Sequence, residues 1–277
     1  MPDAQSGPTA RLAVLGSPIG HSRSPQLHLA AYRTLGLDWS YERREMTDDG
    51  LAAYLDGLGT GWRGLSLTMP LKRRVAELVA DVDPIARRTR QGNTILLDDG
   101  TPVKAFNTDV HGIVQAFADA GVGSATRATV LGGGATAESA VVALETLGAD
   151  VAVAVRDAAR ATASGAFATS TRIVALDEAT ALIAESDAVV STIPPNAEFA
   201  VTLPALGSEQ TLLDVAYAPW PTTLAAAWQH SGGTIVHGLD MLLHQAVHQV
   251  RIFVSGDPAL ALPDEGAVIR AMRAAVE

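Results

Sequence analysis

The chain has 277 residues, and its 20 Lys and Arg against 30 Asp and Glu give a formal net charge of −10. A polyanionic partner such as nucleic acid is not expected, because the basic residues come only in short runs, LKRR and IARRTR. The lack of cysteine excludes disulfides, thiolate metal ligands and a cysteine nucleophile, while 48% hydrophobic and 18% charged residues suit one large or two smaller globular domains.

Short apolar runs alternate with amphipathic stretches almost throughout, the rhythm of βαβ units around a parallel sheet. In the first part the pattern predicts strands over 12–15, 40–45 and 64–67, and helices over 25–35, 48–58 and 71–78. Between the first strand and helix, GSPIGHSRSP (16–25) sets Ser22 and Ser24 just ahead of a proline. Two hydroxyls so close could hold an anion; Ser24 before Pro25 could equally cap the helix that follows. Next, NTILLDDGTPVKAFNTD flanks DDG with two apolar runs, a hairpin that makes the first sheet mixed. A helix over 110–120 leads into RATVLGGGATAESAVVALETLGADVAVAVRD, which reads as strand, glycine turn, helix, strand. Further strands are expected at 171–174, 188–191, 212–215 and 234–236, a surface helix in the alanine-rich tract 158–168, and helices over 239–254 and 265–276. There is no internal repeat. No apolar stretch reaches the length of a membrane span, and the polar, acidic opening MPDAQSGPTA is unlike a signal peptide, so a cytoplasmic protein is expected.

VLGGGATA places Gly132, Gly134 and Ala137 in a G-x-G-x-x-A arrangement directly after an apolar strand. The first glycine permits a tight turn, the second lets backbone approach a pyrophosphate at a helix N-terminus, and alanine allows close helix–strand packing. A dinucleotide-binding turn formed by Gly132, Gly133, Gly134, Ala135 and Thr136 is the expectation. The next strand ends AVAVRD, with Arg156 at its tip and Arg160 one helical turn on. Two guanidinium groups there suit a 2′-phosphate and favour NADP, whereas Asp157 leaves NAD open.

Polar residues also collect where strands of the first part end: Ser66, Thr68 and Lys72 in GLSLTMPLK, Asn93 in QGNT, and Asn107, Thr108 and Asp109 in AFNTDVHG. Read alone, Lys72 is a solvated helix-start lysine, Asp109 a helix cap, and the asparagines turn residues. As an ordered set they resemble the shikimate dehydrogenase family. That family's H-S-x-S-P is matched by residues 21–25, its T-x-P-x-K by Thr68–Lys72, its N-T by Asn93 and Thr94, and its N-T-D-x-x-G by Asn107–Gly112. The glycine turn, DVAYAP and GLDMLLHQA follow in the family's order, so the resemblance covers nearly the whole chain.

The resemblance implies an α/β protein with a substrate-binding domain over 1–108, completed by 241–277, and a Rossmann-like NADP-binding domain over 109–240, with the active site in the cleft between them. It implies NADP-linked reduction of 3-dehydroshikimate to shikimate by a monomer or homodimer, without metal. Ser22 and Ser24 would then hold the substrate carboxylate with Tyr217 nearby, and Thr68, Asn93, Asp109 and Gln245 would surround the ring hydroxyls. Lys72 and Asp109 would form the catalytic pair, and Val215 and Gly238 would border the nicotinamide. Hydride transfer to a ketone builds negative charge on oxygen, so a positioned ammonium group suits the step both as cation and as proton donor. Two positions depart from the family pattern, Ser66 and Val155, where asparagine is common. The first bears on the preferred ring substitution and the second on the preference for NADP. The alternatives are a quinate or aminoshikimate dehydrogenase using NAD or NADP, and a nucleotide-binding regulatory protein without turnover. Arg23 has no role derivable from the sequence. His244 and His248 stand four apart, but with no H-E-x-x-H glutamate they read as helix surface rather than a metal site.

Overall fold

The structure is a computed structural model that describes residues 8–195 and 202–277. The chain divides into two compact units, one comprising the residues up to Thr108 together with Gln245–Glu277, the other Asp109–His244.

The first unit is built on a five-stranded mixed sheet. Its strands are β1 (Ala10–Gly16), β2 (Trp39–Glu45), β3 (Trp62–Leu67), β4 (Thr94–Asp98) and β5 (Thr101–Phe106), in the order β2-β1-β3-β4-β5. β2, β1 and β3 run parallel, whereas β4 and β5 form the antiparallel hairpin. The turn needs left-handed backbone at both Asp99 (φ 48°) and Gly100 (φ 90°), which is why DDG serves there. Helices α1 (Ser24–Thr34), α2 (Asp48–Asp56), α3 (Lys72–Leu78) and α4 (Pro84–Thr89) connect the strands. One core joins Leu15, Leu51, Leu65, Leu67, Val75, Ile95 and Leu97, all buried. Helix α4 is too short for periodicity to announce it, although Asp83 caps it by accepting the Ala86 N–H at 2.6 Å and Pro84 stands at its first position.

The second unit opens with α5 (Asp109–Asp119) and carries a six-stranded parallel sheet in the order β11-β10-β9-β6-β7-β8. Its strands are β6 (Arg127–Leu131), β7 (Asp150–Val155), β8 (Arg172–Ala175), β9 (Ala188–Ser191), β10 (Thr211–Asp214) and β11 (Thr234–His237). Helices α6 (Ala135–Thr146), α7 (Ala158–Ala163), α8 (Ala179–Glu185) and α9 (Thr223–His230) intervene. The strand order reverses beside β6, the switch point of a doubly wound sheet, and folds of this kind bind ligands there, outside the strands' C-terminal ends. The alanine-rich tract is helical only as far as Ala163, because Gly165 turns the chain with φ 60°. Helix α10 (Gly238–Ser255) starts in this unit and ends in the first, where α11 (Glu265–Ala274) packs against α1.

Candidate active site

In the first unit the polar residues gather where parallel strands β1 and β3 end. Gly16 closes β1, and a side chain there would collide with the Thr68 methyl and the Met69 carbonyl at 2.4 and 2.9 Å, so the two strand ends approach closely only because residue 16 is glycine. The Thr68 N–H donates to Leu15 O at 2.9 Å and the Leu67 N–H to Asn93 O at 2.8 Å. Because β4 runs antiparallel, its first residue, Thr94, and the preceding Asn93 stand beside the end of β3. Lys72, the first residue of α3, is buried, and its carbonyl accepts the Gly92 N–H at 2.8 Å. The solvated helix-start reading of Lys72 is thereby excluded.

Asn93 is the centre of a buried cluster. Its amide group donates to Thr108 Oγ1 at 2.9 Å and to Gln245 Oε1 at 3.4 Å, while its Oδ1 accepts from the Thr108 N–H at 3.0 Å and the Thr94 hydroxyl at 2.9 Å. Asn107, also buried, donates to Thr89 Oγ1 at 3.0 Å.

The cluster continues into residues that no sequence motif singles out. Gln249, one turn beyond Gln245 on α10, donates from Nε2 to Asn93 O at 3.1 Å and to Thr94 Oγ1 at 2.9 Å. Its Oε1 accepts from the Ser66 hydroxyl at 2.9 Å and lies 3.1 Å from His28 Nε2. Gln249 Oε1 is an acceptor, so His28 carries its proton on Nε2, and its Nδ1 accepts from the Tyr32 hydroxyl at 3.0 Å. Burial drives the His28 pKa down to about 3, with the Gln249 hydrogen bond opposing, so the ring is neutral. The His28 ring stacks on Tyr41 at 4.0 Å. The Tyr41 hydroxyl is buried near the Ser66 and Ser24 hydroxyls; burial raises its pKa and the two hydroxyls partly offset the rise. Helix α10 comes close enough to deliver Gln249 because β3 has Gly64, where any side chain would strike the Phe253 ring at 2.2 Å. The repeat of glutamine at four residues on α10 was the available signal for Gln249.

The paired-serine loop corrects one expectation. α1 begins at Ser24 with Arg23 as its cap residue, and no side chain caps it, so the Ser24 hydroxyl does not serve that turn. Ser24 is buried and Ser22 half-buried, with Ser22 Oγ accepting the Ser24 N–H at 3.3 Å.

In the second unit, Gly132 follows β6 with φ 107°, and a side chain there would meet Thr192 Oγ1 at 2.5 Å. At Gly133 a side chain would press on Val155 at 3.0 Å, whereas Gly134, the cap residue of α6, faces open space. Ala135 and Thr136 open the first turn of the 12-residue α6. Arg156 and Arg160 are both exposed at the end of β7. Asp157 caps α7 by accepting the Arg160 N–H at 2.9 Å. Asp109 begins α5 and is buried. Val215 follows β10, and a side chain on Gly238 would meet the Val215 and Asp214 carbonyls at 2.5 and 2.7 Å, so glycine lets α10 start against the end of β10. Tyr217 lies half-buried on the loop after Val215. Buried Asp214 anchors that loop by accepting from the Thr222 hydroxyl at 2.5 Å and the Ala216 N–H at 3.2 Å, and burial raises its pKa. The ring of His237 packs on Trp220 at 3.9 Å, and its Nδ1 accepts the Leu239 N–H at 2.9 Å.

His244 is not helix surface as expected. It is buried, with Nε2 2.8 Å from Asp119 Oδ2. His248 is half-buried. Among the described residues no group of three or more His, Asp or Glu is placed to hold a metal ion, and no helix is long and apolar enough to cross a membrane.

A family model described as the shikimate dehydrogenase substrate binding domain matches residues 14–95. A protein of Natronomonas pharaonis named shikimate dehydrogenase (NADP(+)) is 35% identical over 244 residues, 87% of this chain and 91% of its own. The crystal structure of Mycobacterium tuberculosis shikimate dehydrogenase is 40% identical with a TM-score of 0.80, covering 96% of this chain and 99% of that one. The structure of the Thermus thermophilus enzyme in complex with NADP(H) and shikimate is 32% identical, again with a TM-score of 0.80 and coverage of 96% and 99%. With strand-end motifs, glycine turn and similarity along the length of the chain in agreement, this protein belongs to the shikimate dehydrogenase family.

Proposed function

We propose that this protein catalyses the reversible NADP-linked reduction of 3-dehydroshikimate to shikimate. The observation that carries this reading is the buried cluster of Asn93, Thr108 and Gln245 beside buried Lys72, in a chain that also has an open glycine turn before α6. The first unit takes the substrate. Ser22 and Ser24 hold its carboxylate, aided by Tyr217, while Thr68, Asn93, Asp109 and Gln245 orient the ring hydroxyls. Polyhydroxylated rings need donors and acceptors fixed in place, and a network already satisfied within the protein loses little entropy on binding.

The second unit fits NADP. Gly132, Gly133 and Gly134 leave backbone room for a pyrophosphate at the N-terminus of α6, with Ala135 and Thr136 following. Arg156 and Arg160 are free to pair with a 2′-phosphate, since the nearby Asp157 carboxylate caps α7 rather than reaching for ribose hydroxyls. Val215 and Gly238 border the nicotinamide, which when bound supplies the hydride. Lys72 holds a proton on Nζ and delivers it to the carbonyl oxygen as negative charge grows there; in the oxidation direction it takes the proton from the hydroxyl. Asp109 is the second member of the catalytic pair.

The test is a cofactor-absorbance assay on purified protein, crossing shikimate and quinate with NADP and NAD. Turnover that favours shikimate with NADP supports the reading. A preference for quinate, or for NAD, replaces the substrate or cofactor assignment and directs mutagenesis to Ser66 and Val155. Binding of NADP without turnover of any substrate would leave a regulatory nucleotide-binding protein.

A further inference from the structure

Two exposed residues of β2 hold the paired-serine loop from its outer side. The Arg43 guanidinium donates twice to the Ser22 carbonyl, from Nε at 2.8 Å and Nη2 at 2.6 Å, and Nη2 also reaches Gln26 Oε1 in the first turn of α1 at 3.1 Å. Two residues along the strand, and so on the same face, Glu45 accepts from the Ser17 hydroxyl at 2.6 Å and from the Ile19 N–H at 3.1 Å. The loop between β1 and α1 is therefore tied near both ends. Within it, the Ser22 N–H turns back onto Ile19 O at 3.0 Å and the Ser24 N–H onto Ser22 Oγ.

An exposed arginine usually gains little from its contacts, because ordering a long side chain costs entropy and water screens its charge. Arg43 differs in two respects. Its fork is spent on backbone and amide oxygens, so the three bonds fix geometry without neutralising its charge. Its main anchor is the carbonyl of a residue whose side chain, on the proposed function, meets the substrate. The charge therefore stays beside the anion-binding hydroxyls, and the fork sets the position of Ser22.

We propose that Arg43, assisted by Glu45, is the positioning residue of the carboxylate-binding loop, holding Ser22 and Ser24 at the spacing a carboxylate requires and keeping a positive charge behind them. The proposal rests on the reading that these serines take the substrate carboxylate. Neither β2 side chain touches the reacting atoms. Their effect is confined to binding of the anionic end of the substrate.

The experiment is steady-state kinetics of Arg43→Ala, Arg43→Lys and Glu45→Gln beside Ser22→Ala and Ser24→Ala, using shikimate and its uncharged primary carboxamide. Folding is verified by circular dichroism. Arg43→Ala is expected to raise KM for shikimate about tenfold with kcat within about twofold, the pattern of lost uniform binding, while KM for NADP is unchanged. The rise is expected to be smaller for the carboxamide, and Arg43→Lys should recover part of it by keeping the charge without the fork. Glu45→Gln should give a rise of about threefold or less, since one of its hydrogen bonds survives. An unchanged KM for shikimate in Arg43→Ala, or equal losses on shikimate and carboxamide, overturns the proposal. If the serine variants raise KM while Arg43→Ala does not, the clamp is wrong and the carboxylate site stands. If the serine variants also leave KM unchanged, the carboxylate assignment falls and the clamp falls with it.

Discussion

The two units solve recognition with different materials. In the first, the candidate site is made of side chains that are buried and bonded to each other: Asn93 to Thr108, Thr94 and Gln245, and Gln249 to Ser66, His28 and Thr94. In the second, it is made of missing side chains and exposed charge. Gly132 and Gly133 clear space that any other residue would fill, and Arg156 and Arg160 stand in solvent. A ring whose hydroxyls must be told apart needs donors and acceptors in fixed directions. A pyrophosphate needs N–H groups at a helix end and room to approach. A polar site of fixed side chains is coupled, so damage spreads; a backbone cradle with charged tips is modular.

The largest effect should come from Lys72→Ala, which removes the proposed proton donor. Turnover is expected to fall by about 10²–10⁴-fold while NADP affinity, measured by fluorescence titration, stays near wild type. Retained turnover would show that the first unit only binds.

Next is Gln249→Leu. It strands the Ser66 hydroxyl and the His28 Nε2 proton in a buried setting, so a loss of about 2–4 kcal/mol is expected in urea unfolding, together with a higher KM for shikimate. An unchanged urea midpoint would mean the network is a passive feature of the fold.

A smaller and cleaner effect is expected from Arg156→Ala combined with Arg160→Ala. KM for NADP should rise about tenfold, KM for NAD should change little, and stability should hold, because both side chains are exposed. A parallel loss with both cofactors would place the arginines on the pyrophosphate rather than the 2′-phosphate and weaken the contrast between the units.

The last effect concerns pH. The folded pKa of His28 is depressed to about 3 from 6.5, so between these values the unfolded chain takes up a proton that the folded chain does not. Stability is therefore complete above about pH 7 and declines as pH falls, by at most about 1.4 kcal/mol per unit from this residue. The urea midpoint of His28→Gln should fall less than that of wild type between pH 7 and 5. Equal slopes would remove His28 as the source.

Much of the fold was legible because each element carried its own local signal. β9 was expected over 188–191 and is Ala188–Ser191; the DDG turn demanded left-handed backbone and has it at Asp99 and Gly100. Helices α8 and α9 were missed, being short, alanine-rich and weakly periodic, so that packing rather than pattern settles them. Among site residues, Asn93 and Gln245 stood out through motifs, and the structure brings them together. Gln249, His28 and Tyr41 did not, because a buried polar residue looks like any other until its partners, as far as 221 positions away, are known. His244 was misread for the same reason, its partner Asp119 lying 125 residues earlier.

By itself the sequence determined the α/β alternation, the mixed first sheet, the glycine turn and the ordered motifs of the family. All depend on neighbours within a few residues. The tertiary structure decided which polar side chains are buried, which tautomer His28 adopts, that Ser24 is not spent on a cap, and that Arg43 and Glu45 grip the loop before it. Those outcomes depend on contacts between distant segments, where desolvation makes each unpaired group costly and so selects one arrangement.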